Sequence, residues 1–117
     1  MSTESVEIYI RGISSEEAVR WLQSVAGPLV VADTIDSIVY LRDEADTFSV
    51  TITPRIEEGE FLSVYVAGSP LPWSRSEDVA LLCARQLDKT VRWCDESSNQ
   101  WMEAAADGRP ISITLAE

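Results

Sequence analysis

The stretch TFSVTITPRIEEGEFLSVYVAG, residues 47–68, decides the fold class. Phe48, Val50 and Ile52 alternate with Ser49, Thr51 and Thr53, and then Leu62, Val64 and Val66 alternate with Ser63, Tyr65 and Ala67. A period of two puts each apolar set on one face of a strand, so both runs are half-buried strands. The link Ile56 to Gly59 is short and polar, which only an antiparallel hairpin can use.

Upstream, Ile35 to Arg42 reads as another strand, joined to the first through Asp43 to Asp46, and residues 29–32 read as a short strand or a lead-in. Near the start, Val6, Ile8 and Ile10 alternate with Glu7, Tyr9 and Arg11. Ser14-Ser15-Glu16-Glu17 is a capping box, with Ser14 as N-cap and Glu17 reaching back to its amide. A helix follows, with Ala18, Leu22 and Val25 on one face and Val19 and Ala26 beside them. Trp21 lies off that stripe and is expected at the edge of the core. Gly27 and Pro28 end the helix.

Downstream, Ser69-Pro70-Leu71-Pro72 is a turn-rich connection, and Ser74 with Glu77 matches a second capping box. Val79, Leu82, Cys83 and Leu87 then mark the apolar stripe of a helix from about Ser76 to Asp88. Thr90 to Cys94 reads as a strand. Gln100 to Ala104 and Pro110 to Leu115 form a hairpin around Asp107-Gly108. The expected fold is a single α+β domain over residues 1–117. Its sheet is mostly antiparallel, in the order β-α-β-β-β-α-β-β-β, with both helices on one face. Alternation in the strands predicts a solvated opposite face carrying Glu7, Tyr9, Arg11, Ser49, Thr51, Thr53, Ser63, Tyr65, Ser112 and Thr114.

Chemistry is limited by what the 117 residues lack. There is no histidine, which removes Ser-His-Asp and Cys-His catalysis and the commonest metal ligand. The five glycines are scattered and build no phosphate loop. The carboxylate pairs Glu16-Glu17, Glu57-Glu58 and Asp95-Glu96 are sequence neighbours, which point in different directions and do not share a site. Neither catalytic residues, a metal nor a cofactor is expected. Cys83 and Cys94 read as two thiols buried as small hydrophobes, with a disulfide between them as the alternative. No apolar run reaches the length of a membrane span, and Met1-Ser2-Thr3-Glu4 has no secretory pattern, so a cytoplasmic address is expected.

The net charge is −11, from 20 acids and 9 bases. Nucleic acid and anionic membrane are poor partners for such a chain, and a cationic protein surface is a good one. Residues 28–60 hold −6 of that charge, eight acids against Arg42 and Arg55, whereas residues 61–99 hold only −1. The candidate partner surface is therefore Asp43, Glu44, Asp46, Glu57, Glu58 and Glu60 in the strand links, with Tyr9 and Tyr65 on the open sheet face. Trp73 has two readings. It packs on the first turn of the following helix as a hydrophobic staple, or it stands out as an aromatic anchor.

In length, acidity, element order and the ending VRWCDESSNQWMEAAADGRPISI (residues 91–113), the chain resembles the small acidic immunity proteins of bacterial toxin–immunity pairs. The resemblance implies a cofactor-free protein that binds and blocks a toxin made by the same cell. It carries no binding residues with it. Two other readings stand beside it. One is a structural or adaptor domain, possible as a homodimer through strand edges or open sheet faces. The other is a small-molecule binding domain with a pocket between sheet and helices.

Overall fold

A computed structural model describes residues 4–56 and 60–114. In chain order the elements are β1 (Glu4–Arg11), α1 (Ser15–Ala26), β2 (Leu29–Ile35), β3 (Ile38–Asp43), β4 (Phe48–Ile56), β5 (Phe61–Gly68), α2 (Ser76–Leu87), β6 (Val91–Asp95), β7 (Gln100–Ala104) and β8 (Ile111–Ser112). The fold is α+β. Among the described residues the strands form one antiparallel sheet in the order β2-β3-β4-β5-β1-β6-β7-β8. The expected element order holds, with residues 29–32 a strand in their own right. Neither helix is long and apolar enough to cross a membrane.

The run expected from Ile35 to Arg42 starts later, at Ile38, and Ile35 belongs to the strand before it. β2 ends at Ile35 and pairs with β3 from Ile38, and Asp36 and Ser37 make the turn at φ 51° and 70°. Two positive φ values define the I′ hairpin, whose right-handed twist suits the strands on either side. Asp tolerates that region through its short polar side chain, but the glycine that usually announces such a turn is missing.

One face of the sheet builds the core. Val6, Ile8, Ile10, Val50, Ile52, Leu62, Val64, Val66, Val91 and Trp93 are all nearly inaccessible, beneath Ala18 and Leu22 of α1 and Val79, Ala80, Cys83 and Ala84 of α2. α1 packs over β2 and β4, and α2 over β1, β6 and β7. Trp21 is core rather than edge. It is buried, donates its indole N–H to Gln86 Oε1 at 2.8 Å, and stacks on Trp73 at 6.4 Å between ring centroids, 9° from parallel. The polar nitrogen explains why it sits off the stripe: it needs the other helix's amide to be buried at low cost.

The helix starts differ. Ser14 caps α1, accepting the Glu17 amide at 3.2 Å, while the Glu17 carboxylate takes the Ser14 hydroxyl at 3.4 Å rather than its amide. Ser74 does not cap α2. Arg75 stands at the N-cap without a side-chain bond, since a guanidinium has no acceptor to offer, and the first helical residue, Ser76, bonds the sheet. Both cysteines are free thiols, Cys83 buried and Cys94 half-buried.

Candidate functional site

The sheet has a seam. β1 pairs with β5 along eight residues, from Glu4–Gly68 to Arg11–Phe61, but with β6 only at Tyr9–Arg92 and Ile10–Val91. From Glu7 backward β1 leaves β6, and its backbone needs other partners. The Glu7 amide donates to Ser76 Oγ at 3.1 Å, and Ser76 Oγ donates to Glu96 Oε2 at 3.0 Å. Glu96 Oε2 also accepts the Ser76 amide at 3.4 Å. A carboxylate from the β6–β7 turn thus caps α2, where exposed amides and the helix dipole favour negative charge.

This wedge floors a groove of about 230 Å³ on the face away from the helices, walled by Glu7, Tyr9, Tyr65, Cys94, Glu96 and Trp101. Period two accounts for the set. Glu7 and Tyr9 face outward because Ile8 and Ile10 face the core, and Trp101 is opposite Cys94 while Trp93 is opposite Met102. Tyr9 and Trp101 meet at 5.4 Å with planes tilted by 51°, and Tyr65 is 40% exposed. Glu7 Oε2 accepts the Ser63 hydroxyl at 3.2 Å, and Cys94 Sγ donates to Asn99 Oδ1 at 3.7 Å.

The open face is less solvated than its alternation predicts. Ser63 is 6% exposed and Phe61 only 2%. Arg92 closes over the Phe61 ring at 4.5 Å and pairs with Glu103 at 2.8 Å, so a stem and a charge cover what would be bare apolar surface.

The structure divides the acidic links. Consecutive hairpins turn at alternate ends of a sheet, so the Asp43–Asp46 turn and Glu60 lie at opposite ends of β4. Nine residues of strand put them roughly 25–30 Å apart, well beyond the ~8 Å over which salt leaves charges coupled. Glu57 and Glu58 lie outside the described residues. Glu60 pairs with Arg11 at 3.3 Å across an exposed surface. Glu44 and Asp46 are exposed, at the same end of the sheet as Glu96.

Asp43 is turned inward on its own loop. It accepts the amides of Thr47 at 2.7 Å and Phe48 at 3.0 Å, and the Thr47 hydroxyl. Desolvation pushes its pKa up, but these donors outweigh it and hold the carboxyl below the usual value. Asp95 is held low likewise, first by the Ser98 hydroxyl and then by the Ser97 amide. Trp73 is half-buried in the helical layer against Trp21, away from the groove.

The structure therefore brings Tyr9 and Tyr65 together and adds Glu7, Glu96 and Trp101, which the sequence reading left out of the site. Alternation in QWMEA could have placed Trp101 on the open face. Nothing local could have placed Glu96 beside Ser76, 20 residues away. No protein-family model, curated protein or solved structure matches this chain.

Proposed function

We propose that this chain is a non-catalytic binding protein of the immunity type, which occludes a cationic surface of a bacterial toxin in the cytoplasm and needs no cofactor. The observation that supports it is the groove. Three aromatic side chains, Tyr9, Tyr65 and Trp101, share it with the carboxylates of Glu7 and Glu96, and Glu44 and Asp46 project at the same end of the sheet. Aromatic rings provide large contact area with few torsions to freeze, and carboxylates beside them suit an arginine or lysine that must be both stacked and paired. Glu44 and Asp46 would steer the approach, and Glu7 and Glu96 would hold the docked charge.

The test is recovery of the tagged chain from its native cells at low and then high salt, with identification of what stays bound. A basic protein is expected. Tyr9→Ala or Trp101→Ala should weaken its binding at least tenfold, and Glu44→Ser with Asp46→Ser should slow its association. Serine at Glu60, at the far end of the sheet, should do little. A partner held equally well after loss of Tyr9, Tyr65 and Trp101 sinks this assignment.

A further inference from the structure

The outward face of the sheet carries two clusters of rings and carboxylates, and they differ in one respect. In the first, Arg92 lies over the Phe61 ring at 4.5 Å and pairs with Glu103 at 2.8 Å, so the chain brings its own arginine to a ring and an acid. In the second, Tyr9, Tyr65 and Trp101 stand with Glu7 and Glu96, and among the described residues that wall their groove there is no lysine or arginine. Arg75, next to Ser76, is 3.6 Å from both Glu77 and Asp78, which hold it at the helix start. We infer that the partner supplies to the second cluster what Arg92 supplies to the first: one arginine side chain, selected over lysine. This rests on the reading of the chain as a binder of a cationic protein surface and names the group that its groove takes.

Acceptors stand on both walls. Glu7 Oε2 takes the Ser63 hydroxyl at 3.2 Å, and Glu96 Oε2 takes the amide and hydroxyl of Ser76 at 3.4 and 3.0 Å. These bonds leave Oε1 of each carboxylate to accept from a ligand. Glu7 belongs to β1 and Glu96 to the β6–β7 turn, so a forked donor can serve both walls where a point charge serves one. A guanidinium is such a fork. It is also flat and weakly hydrated, so it lies on an aromatic face at a low desolvation cost, whereas a compact ammonium is strongly hydrated and loses more on entering.

Size, ring placement and charge agree. The groove's volume of about 230 Å³ suits one long side chain and falls below the roughly 300–1,000 Å³ of a small-molecule site. Tyr9 and Trp101 already touch, at 5.4 Å between centroids, so they form one wall rather than the facing walls of a cage for a methylated ammonium. The net charge of −11 draws a cation to this chain, and Glu44 and Asp46 at the same end of the sheet add to the pull.

The experiment titrates the full chain with the blocked tripeptide Gly-Arg-Gly, its lysine counterpart and its citrulline counterpart, and reads backbone amide and indole NMR shifts. Arginine should give saturable shifts confined to the groove, at Glu7, Tyr9, Tyr65, Cys94 and Trp101. Lysine should bind at least tenfold more weakly, and citrulline, which keeps the shape without the charge, should not bind. Glu7→Gln should weaken the arginine peptide at least tenfold, and Glu60→Gln, at the far end of the sheet, should change nothing. Equal affinity for arginine and lysine, or none for either, overturns the inference, as do shifts spread over the acidic surface or binding indifferent to Glu7→Gln. If Glu7→Gln loses its fold by circular dichroism, the arginine-to-lysine ratio on the unaltered chain decides alone. The toxin reading fails separately. A native partner that needs Tyr9 and Trp101, while the two charged peptides bind alike, keeps that reading and sinks this inference; selective arginine binding with no native partner does the reverse.

Discussion

Ser76 and Glu96 are joined twice, hydroxyl and amide of one to a single carboxylate oxygen of the other, and the same hydroxyl accepts the Glu7 amide. Helix start, turn and strand thus meet on one oxygen pair, with Ser76 only 4% exposed. Ser76→Ala leaves the half-buried Glu7 amide without its acceptor and should cost about 1–3 kcal/mol of stability. Glu96→Gln keeps the shape and weakens the cap. Urea unfolding of both single variants and the double variant should return a coupling energy on the order of 0.5–3 kcal/mol. Additive effects would mean that the two side chains do not act together.

Gly68 is held by the backbone opposite. Its φ is 151°, and a Cβ there would lie 2.4 Å from the Thr47 carbonyl oxygen and 2.5 Å from Phe48 Cα. Neither atom can move without shifting the β4–β5 pairing. Gly68→Ala should lower stability by about 2 kcal/mol or more, seen as a lower urea midpoint at unchanged slope.

Acid should loosen the two carboxylate-closed turns. The folded pKa values of Asp43 and Asp95 lie below their ordinary value of 3.8. The folded state therefore prefers the charged form. That contribution is fully present above the unfolded pKa and is lost as pH falls through the folded values, below 3.8. Unfolding followed from neutral pH down to strong acid should show stability dropping in that window. Asp43→Asn should flatten part of the drop, and an unchanged profile would refute the assignment.

The two thiols should differ sharply in reactivity. Burial pushes the pKa of Cys83 up to about 12, so it holds almost no thiolate at neutral pH. Cys94 is half-buried at the groove. Thiol titration of the folded protein should modify Cys94 and spare Cys83 until denaturant is added. A basic partner bound in the groove should slow the Cys94 reaction.

Much of this architecture was legible because alternation is a local signal. Val6 to Ile10, Phe48 to Ile52 and Leu62 to Val66 each state which face is buried, and the pairing register obeys them. The hairpin at Asp36-Ser37 was missed because its chemistry lacks glycine, so the strand from Ile38 was read as starting at Ile35, and the strand before it only as a short strand or lead-in over 29–32. The α2 cap was misplaced because Ser74 matches a local rule, while the group that serves the helix start comes from the β6–β7 turn. The acidic links looked like one patch because they are neighbours in sequence. A meander sends successive turns to opposite ends, so Asp46 and Glu60 share a chain segment but not a surface.

The two-residue contact between β1 and β6 has a consequence of its own. It splits the hydrogen-bonded ladder into a five-strand block and a three-strand block, and backbone bonding alone barely joins them. What unites them is α2, which lies across both, with the Ser76–Glu96 clasp at its start. The β6–β8 block is where amide exchange would report opening first, and opening there would pull Trp101 and Glu96 away from Tyr9 and Glu7. A ligand that grips both walls of the groove would fasten this join, so its binding free energy would appear as slowed exchange across strands it never touches.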